Sequence, residues 1–176
     1  MDSQDLAVTQ SQALRFFFER LRQLSNDADT LQNELLYNAS VLAHFATTST
    51  ISARTFPATP ATLDTVFDVF VLDRSQHNDP EIMEAAGSQC LLLTGFFYDQ
   101  LKRRHNMDWY AGLGASFYDS AAHCAADQAR RSMMASMAAH FEMWRRRQHR
   151  LARELRDVPR LLLPVMPKVD SATPQP

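Results

Sequence analysis

The stretch from Asp79 to Arg104 constrains the fold of this 176-residue chain more than any other. It opens Asp79-Pro80-Glu81-Ile82, carries the apolar run Cys90-Leu91-Leu92-Leu93-Thr94-Gly95-Phe96-Phe97-Tyr98, and stops at Lys102-Arg103-Arg104. Asp79 suits a helix N-cap and Pro80 suits its first turn, where a missing N–H costs nothing. The three cations fall where the negative end of the helix dipole would lie. Between these ends nearly every face is apolar, which predicts a helix surrounded by others rather than one lying on a surface. With only four glycines in the chain, a turn-rich β architecture would be hard to build, whereas helix formers abound. The expectation is an all-α, single-domain bundle of about six helices around a buried central one.

Periodicity places the other elements. Leu14, Phe17, Phe18, Leu21 and Leu24 step by threes and fours through a helix from about Gln4 to Leu24. Ser25-Asn26-Asp27 ends it and caps a second helix to about Phe45, striped by Leu31, Leu35, Leu42 and Phe45, so 1–46 reads as a helical hairpin. Phe16 cannot share a face with both Phe17 and Phe18 and needs cover from another element or subunit. Residues 47–60, rich in threonine and holding Pro57 and Pro60, read as an extended connector. The helical core then spans 61–157. It begins with the stripe Leu63, Val66, Phe67, Phe70 and Val71. After the central helix, His105-Asn106-Met107 makes a turn. Asp108 caps a helix to about Arg131, with Trp109, Leu113, Phe117, Ala121 and Cys124 inward. The last helix, Ser132 to Asp157, has the strongest period: Met134, Met137, Phe141, Trp144, Gln148, Leu151 and Leu155 form a bundle or coiled-coil seam. Pro159 stops it. Residues 158–167 read as an apolar extended tail, completing a domain over 1–167, and 168–176 as a disordered tail.

Charge is unevenly spread. Residues 1–100 carry 13 acids against 5 bases, net −8, and residues 101–176 carry 7 against 13, net +6. The halves can neutralise each other within one chain or across a dimer, or the basic half can face an anionic partner. Cys90 and Cys124 both sit in helical apolar patterns with no disulfide framework around them, and the opening Asp2 and Asp5 are unlike a secretory leader. A reduced, cytoplasmic setting is expected. No apolar run approaches the ~20 residues of a membrane span, so no membrane partner is expected.

Motifs that carry chemistry are scarce. Asp119, His123 and Asp127 share one helix flank at i, i+4 and i+8, as metal ligands or a solvated face would. No Glu-x-x-His, His-Glu-x-x-His, nucleophile elbow or phosphate loop occurs, so no catalytic residue, metal or cofactor is assigned. Gly112-Leu113-Gly114 lacks the preceding strand of a dinucleotide site and instead suggests close approach of another helix, with the central one at Gly95 as the candidate. The aromatic set around the turn at His105 is core. If a ligand pocket exists, Tyr98, His105, Trp109 and Tyr110 line it. The arginines of the last helix fan around its solvent side, with Arg146, Arg150 and Arg153 as candidates for an anionic partner such as nucleic acid.

Ser88-Gln89-Cys90-Leu91-Leu92-Leu93-Thr94-Gly95-Phe96-Phe97, followed by Lys102-Arg103-Arg104, Trp109-Tyr110, Leu113-Gly114 and Tyr118, resembles a segment of uncharacterised bacterial all-helical proteins. The resemblance covers about a fifth of the chain and implies a bacterial cytoplasmic origin but no activity. Surplus apolar faces beside missing catalytic motifs favour a non-catalytic interaction or regulatory protein. Its partner is another protein or itself, as a homodimer. A nucleic-acid binder and a small-ligand binder or enzyme are the alternatives.

Overall fold

The computed structural model describes residues 9–25, 31–51 and 77–157, and over these it is all-α, with seven helices and no strand. They are α1 (Gln10–Leu24), α2 (Gln32–Ile51), α3 (Pro80–Thr94), α4 (Tyr98–Leu101), α5 (Met107–Cys124), α6 (Gln128–Ala139) and α7 (Phe141–Asp157). The expectations for the helix at Leu63–Val71, for most of the 47–60 connector and for both C-terminal tails lie outside the described residues.

The N-caps follow local chemistry. Thr9 Oγ1 accepts from Gln12 N at 3.3 Å while Gln12 Oε1 accepts from Thr9 N at 3.0 Å, a reciprocal capping box. Asp79 Oδ1 accepts from Glu81 N and Ile82 N with Pro80 in the first turn, as the sequence suggests. α5 is capped by Asn106, which accepts from Trp109 N at 3.1 Å, and not by Asp108, which points outward to Arg145 at 3.1 Å. α2 continues to Ile51, past the expected end near Phe45. Within this extension the Thr47 hydroxyl bonds back to Ala43 O at 2.9 Å and His44 O at 3.1 Å, so it is satisfied inside the helix.

Three long expected helices are each broken. The central one ends at Thr94, where Gly95 caps α3 by donating to Leu91 O at 2.8 Å, and the chain turns before α4. α7 crosses at this point, so that a Cβ on Gly95 would stand 3.0 Å from Arg145 O. Lys102, Arg103 and Arg104 therefore lie beyond the dipole they were expected to offset, and Lys102 pairs with Asp99 at 2.8 Å. The helix expected from Asp108 to Arg131 stops at Cys124, and Asp127 caps α6 by accepting from Arg130 N at 2.9 Å. The last helix breaks at His140 into α6 and α7. The seam survives this break, with all seven of its residues buried.

α3 is the hub, burying Met83, Ala86, Gly87, Cys90, Leu91, Leu92, Leu93 and Thr94 against α5, α7 and α2. α1 packs on α2, α6 packs on α5, and α7 lies across α3, α1 and α5. The buried face of α5 is Met107, Tyr110, Ala111, Gly114, Phe117, Tyr118, Ala121 and Ala122. This corrects the expected stripe, since Trp109 and Cys124 are exposed. Leu31, expected inside, is also exposed.

At Gly114 α5 lies tightly against α3 and α7. A Cβ there would sit 2.5 Å from the Phe141 ring and 2.6 Å from Cys90 Cβ, whereas one on Gly112 meets nothing within 4 Å. Only Gly114 has the packing role expected of the pair, and it faces Cys90 rather than Gly95. Gly114→Ala should cost about 1–3 kcal/mol by forcing α3 and α5 apart, while Gly112→Ala should not destabilise. Urea unfolding followed by circular dichroism separates the two.

Candidate functional site

The structure separates the residues read as sites from sequence. His105, Trp109 and Tyr110 meet at the aromatic turn, with Trp109 and His105 rings 4.8 Å and 6.0 Å from that of Tyr110. Tyr110 belongs to the core and Trp109 is 47% exposed. Tyr98 turns towards α7, its ring 4.7 Å from His149 and within 6 Å of the Lys102 and Arg145 cations. The main groove described below is lined by none of these four. Asp119 and His123 sit exposed on the flank of α5, His123 Nδ1 3.6 Å from the Asp119 carboxylate, while Asp127 is committed to capping α6. Among the described residues no group of three or more His, Cys, Asp or Glu could hold a metal.

Arg146 and Arg150 are exposed and paired along their own helix, with Glu142 at 2.9 Å and Glu154 at 3.4 Å, and Arg153 is exposed. Arg145 and Arg147 depart from the expected solvent fan. Arg147 is buried with its guanidinium 4.8 Å over the Trp144 ring, and Arg145 bridges Glu142 and Asp108. Pairs between the acidic and basic halves also form within the chain, Arg156 to Asp99 at 2.7 Å and Arg130 to Glu84 among them. The Lys102 ammonium, the Arg156 guanidinium and His149 hold the Asp99 carboxyl below the usual carboxylate range.

Two constellations emerge that sequence reading missed. The first is a buried carboxylate. Glu34 on α2 is 1% exposed and accepts from Ser136 Oγ on α6, from His140 Nδ1 at the α6–α7 break (2.8 Å), and from Trp144 Nε1 on α7 (2.7 Å). One turn on, Asn38 Nδ2 donates to Glu34 O at 2.9 Å and Gln148 Nε2 donates to Asn38 Oδ1 at 3.1 Å. Burial pushes the Glu34 pKa up, but the bonds from Ser136, Trp144 and His140 outweigh it and hold the group below its usual value. Chemically this is a clamp. Ser136 bonds the carboxylate rather than the imidazole, so no nucleophile–base pair results. The signal was present as polar residues at core positions, Glu34 and Asn38 beside Leu35 and Leu42, and Gln148 within the seam.

The second is a groove between α2 and α3 of about 630 Å³. One wall is Tyr37, Val41, His44 and Phe45, and the other is Glu81, Glu84, Ala85, Ser88, Gln89 and Leu92, with Arg130 at one end. Tyr37 meets Ser88 and Phe45 meets Phe97, so α2 and α3 run in the same direction. Glu81, Ala85 and Gln89 form the one exposed stripe of a helix whose other positions are buried or half-buried. In its floor the hydroxyls of Tyr37, Ser88 and Tyr118 bond one another at 3.0, 3.0 and 3.4 Å. Burial raises the pKa of both phenols, so they stay protonated. Cys90, deeper in the core, has its thiol pushed up to about 12 by burial and is no nucleophile near neutral pH.

Comparison with known proteins finds no matching family model, no matching curated protein and no matching solved structure. No helix of the described residues is long and apolar enough to cross a membrane.

Proposed function

We propose that this protein works by contact rather than turnover: a non-catalytic helical interaction protein that self-associates, with the α2–α3 groove receiving an apolar helix. The observation that carries this reading is the groove itself. It is predominantly apolar and opens along the exposed stripe of the hub helix. The buried groups that could do chemistry are committed: Glu34 is saturated with donors, Cys90 is enclosed in the core, and Tyr37 and Tyr118 bond each other. Helix-in-groove recognition uses such a surface, with apolar anchors at helical spacing. The carboxylates paired with Arg146 and Arg150 compensate the local charge, which weakens the case for nucleic acid. Two free cysteines suit a cytoplasmic setting.

Ala85→Arg places a charged, bulky side chain on the open wall of the groove at an exposed position. Light scattering across a concentration series should show wild type exceeding the monomer mass and the variant weakened by about tenfold or more, with its melting temperature unchanged. A wild type that stays monomeric at the highest concentration reached would sink the proposal.

A further inference from the structure

We propose that the occupant of the α2–α3 groove is the outer face of α1 from a second copy of this chain, with Phe16 between the walls and Arg20 facing Glu81. This rests on the reading above and names its partner. The first argument is the polarity of the groove. Tyr37 donates to Tyr118 at 3.4 Å, and the ring of three hydroxyls closes if Tyr118 donates to Ser88 and Ser88 to Tyr37. A hydroxyl has one proton, so all three donors are spent inside the ring, and Tyr37 and Ser88 offer the groove only lone pairs. At the α3 N-terminal end, Glu81 is 79% exposed and stands 4.0 Å from Arg130, whose closer bond is to Glu84. The groove therefore suits an apolar body that carries donors and positive charge.

The second argument is that α1 presents that chemistry. Phe16 lies half-buried on its outer side with the Arg20 guanidinium 5.6 Å from its ring, and Arg15 borders the same shallow depression. Glu19, the acid of this face, is already paired with Arg22 at 2.8 Å, leaving Arg15 and Arg20 to set its sign. The arginine face of α7 fits less well, because Glu142 and Glu154 compensate it. Arginine is also among the residues enriched at the energetic centres of interfaces. Because α1 and the groove are different surfaces, two copies either exchange the contact reciprocally across a two-fold axis or join head to tail and close into a ring or continue.

The experiment uses the full chain, with mass followed by sedimentation and light scattering against concentration and ionic strength. Arg20→Glu and Glu81→Arg should each weaken association about fivefold. An equimolar mixture of the two variants should recover wild-type strength, since the α1 of one then meets the groove of the other. Phe16→Ala should weaken it about tenfold while the circular dichroism melt stays cooperative, and raised salt should weaken the wild type. Association indifferent to all three substitutions, or a mixture no stronger than its components, overturns the proposal. If association still responds to Ala85→Arg in that case, the groove remains the contact face and only the α1 assignment falls. A strictly monomeric wild type removes both.

Discussion

Glu34→Ala should destabilise the folded chain by about 3 kcal/mol at neutral pH. The substitution removes one acceptor and strands three donors, and one of them, Trp144 Nε1, belongs to a fully buried side chain. Ser136 and His140 are partly exposed and can turn to water, which keeps the cost below that of three buried orphans. The effect is a difference in urea midpoint with unchanged slope. It also carries a pH signature. The Glu34 pKa lies below its ordinary value of 4.5 in the folded state, so the folded state binds the proton more weakly than the unfolded chain. Its contribution is complete above the ordinary value and is lost as pH falls through the folded value. Glu34→Ala should flatten that acid limb of the stability profile. A variant that retains the wild-type limb would show that other carboxylates dominate acid unfolding.

Trp144→Ala should cost more, about 4–5 kcal/mol, because it opens a cavity in the centre of the seam and takes a donor from a buried carboxylate. Trp144 is fully buried, and its ring supports the guanidinium of Arg147 at 4.8 Å. Trp144→Phe keeps most of the apolar area and loses the N–H, so it should cost roughly 1–3 kcal/mol. The gap between the two variants separates packing from hydrogen bonding. Combined with Glu34→Ala, Trp144→Phe should be clearly less than additive, since each breaks the same bond. Full additivity in the thermal or urea data would mean that the Glu34–Trp144 bond contributes nothing measurable.

The seam from Met134 to Leu155 and the buried α3 were legible because burial on a helix leaves a period in the sequence. That period survives even where the helix does not. The break at His140 preserves the three-and-four stepping, so the pattern passed through it as if the helix were continuous. The same limit hid the ends of α3 and α5. α3 stops at Gly95, where α7 crosses, and α5 stops at Cys124 shortly before Asp127 caps the start of α6. Asp119, His123 and Asp127 illustrate the consequence: spacing aligned them on one face, and the break at Ala125 dissolved the alignment.

The candidate sites were less legible than the fold. Glu34 lies 102 residues from Ser136 and 110 from Trp144, so no local spacing could bring them together. The groove likewise needs two helices running in the same direction, which is a property of topology and not of either helix alone.

Read without its structure, this chain already determines that it is helical, which residues of the seam from Met134 to Leu155 turn inward, and where α3 begins. Each of those follows from side-chain chemistry acting within one or two turns. Tertiary packing alone decided which helices break, that Glu34 clamps α2 to the α6–α7 junction, and that α3 leaves one stripe uncovered beside α2. Those depend on groups far apart in sequence, whose meeting is set by how rigid helices cross.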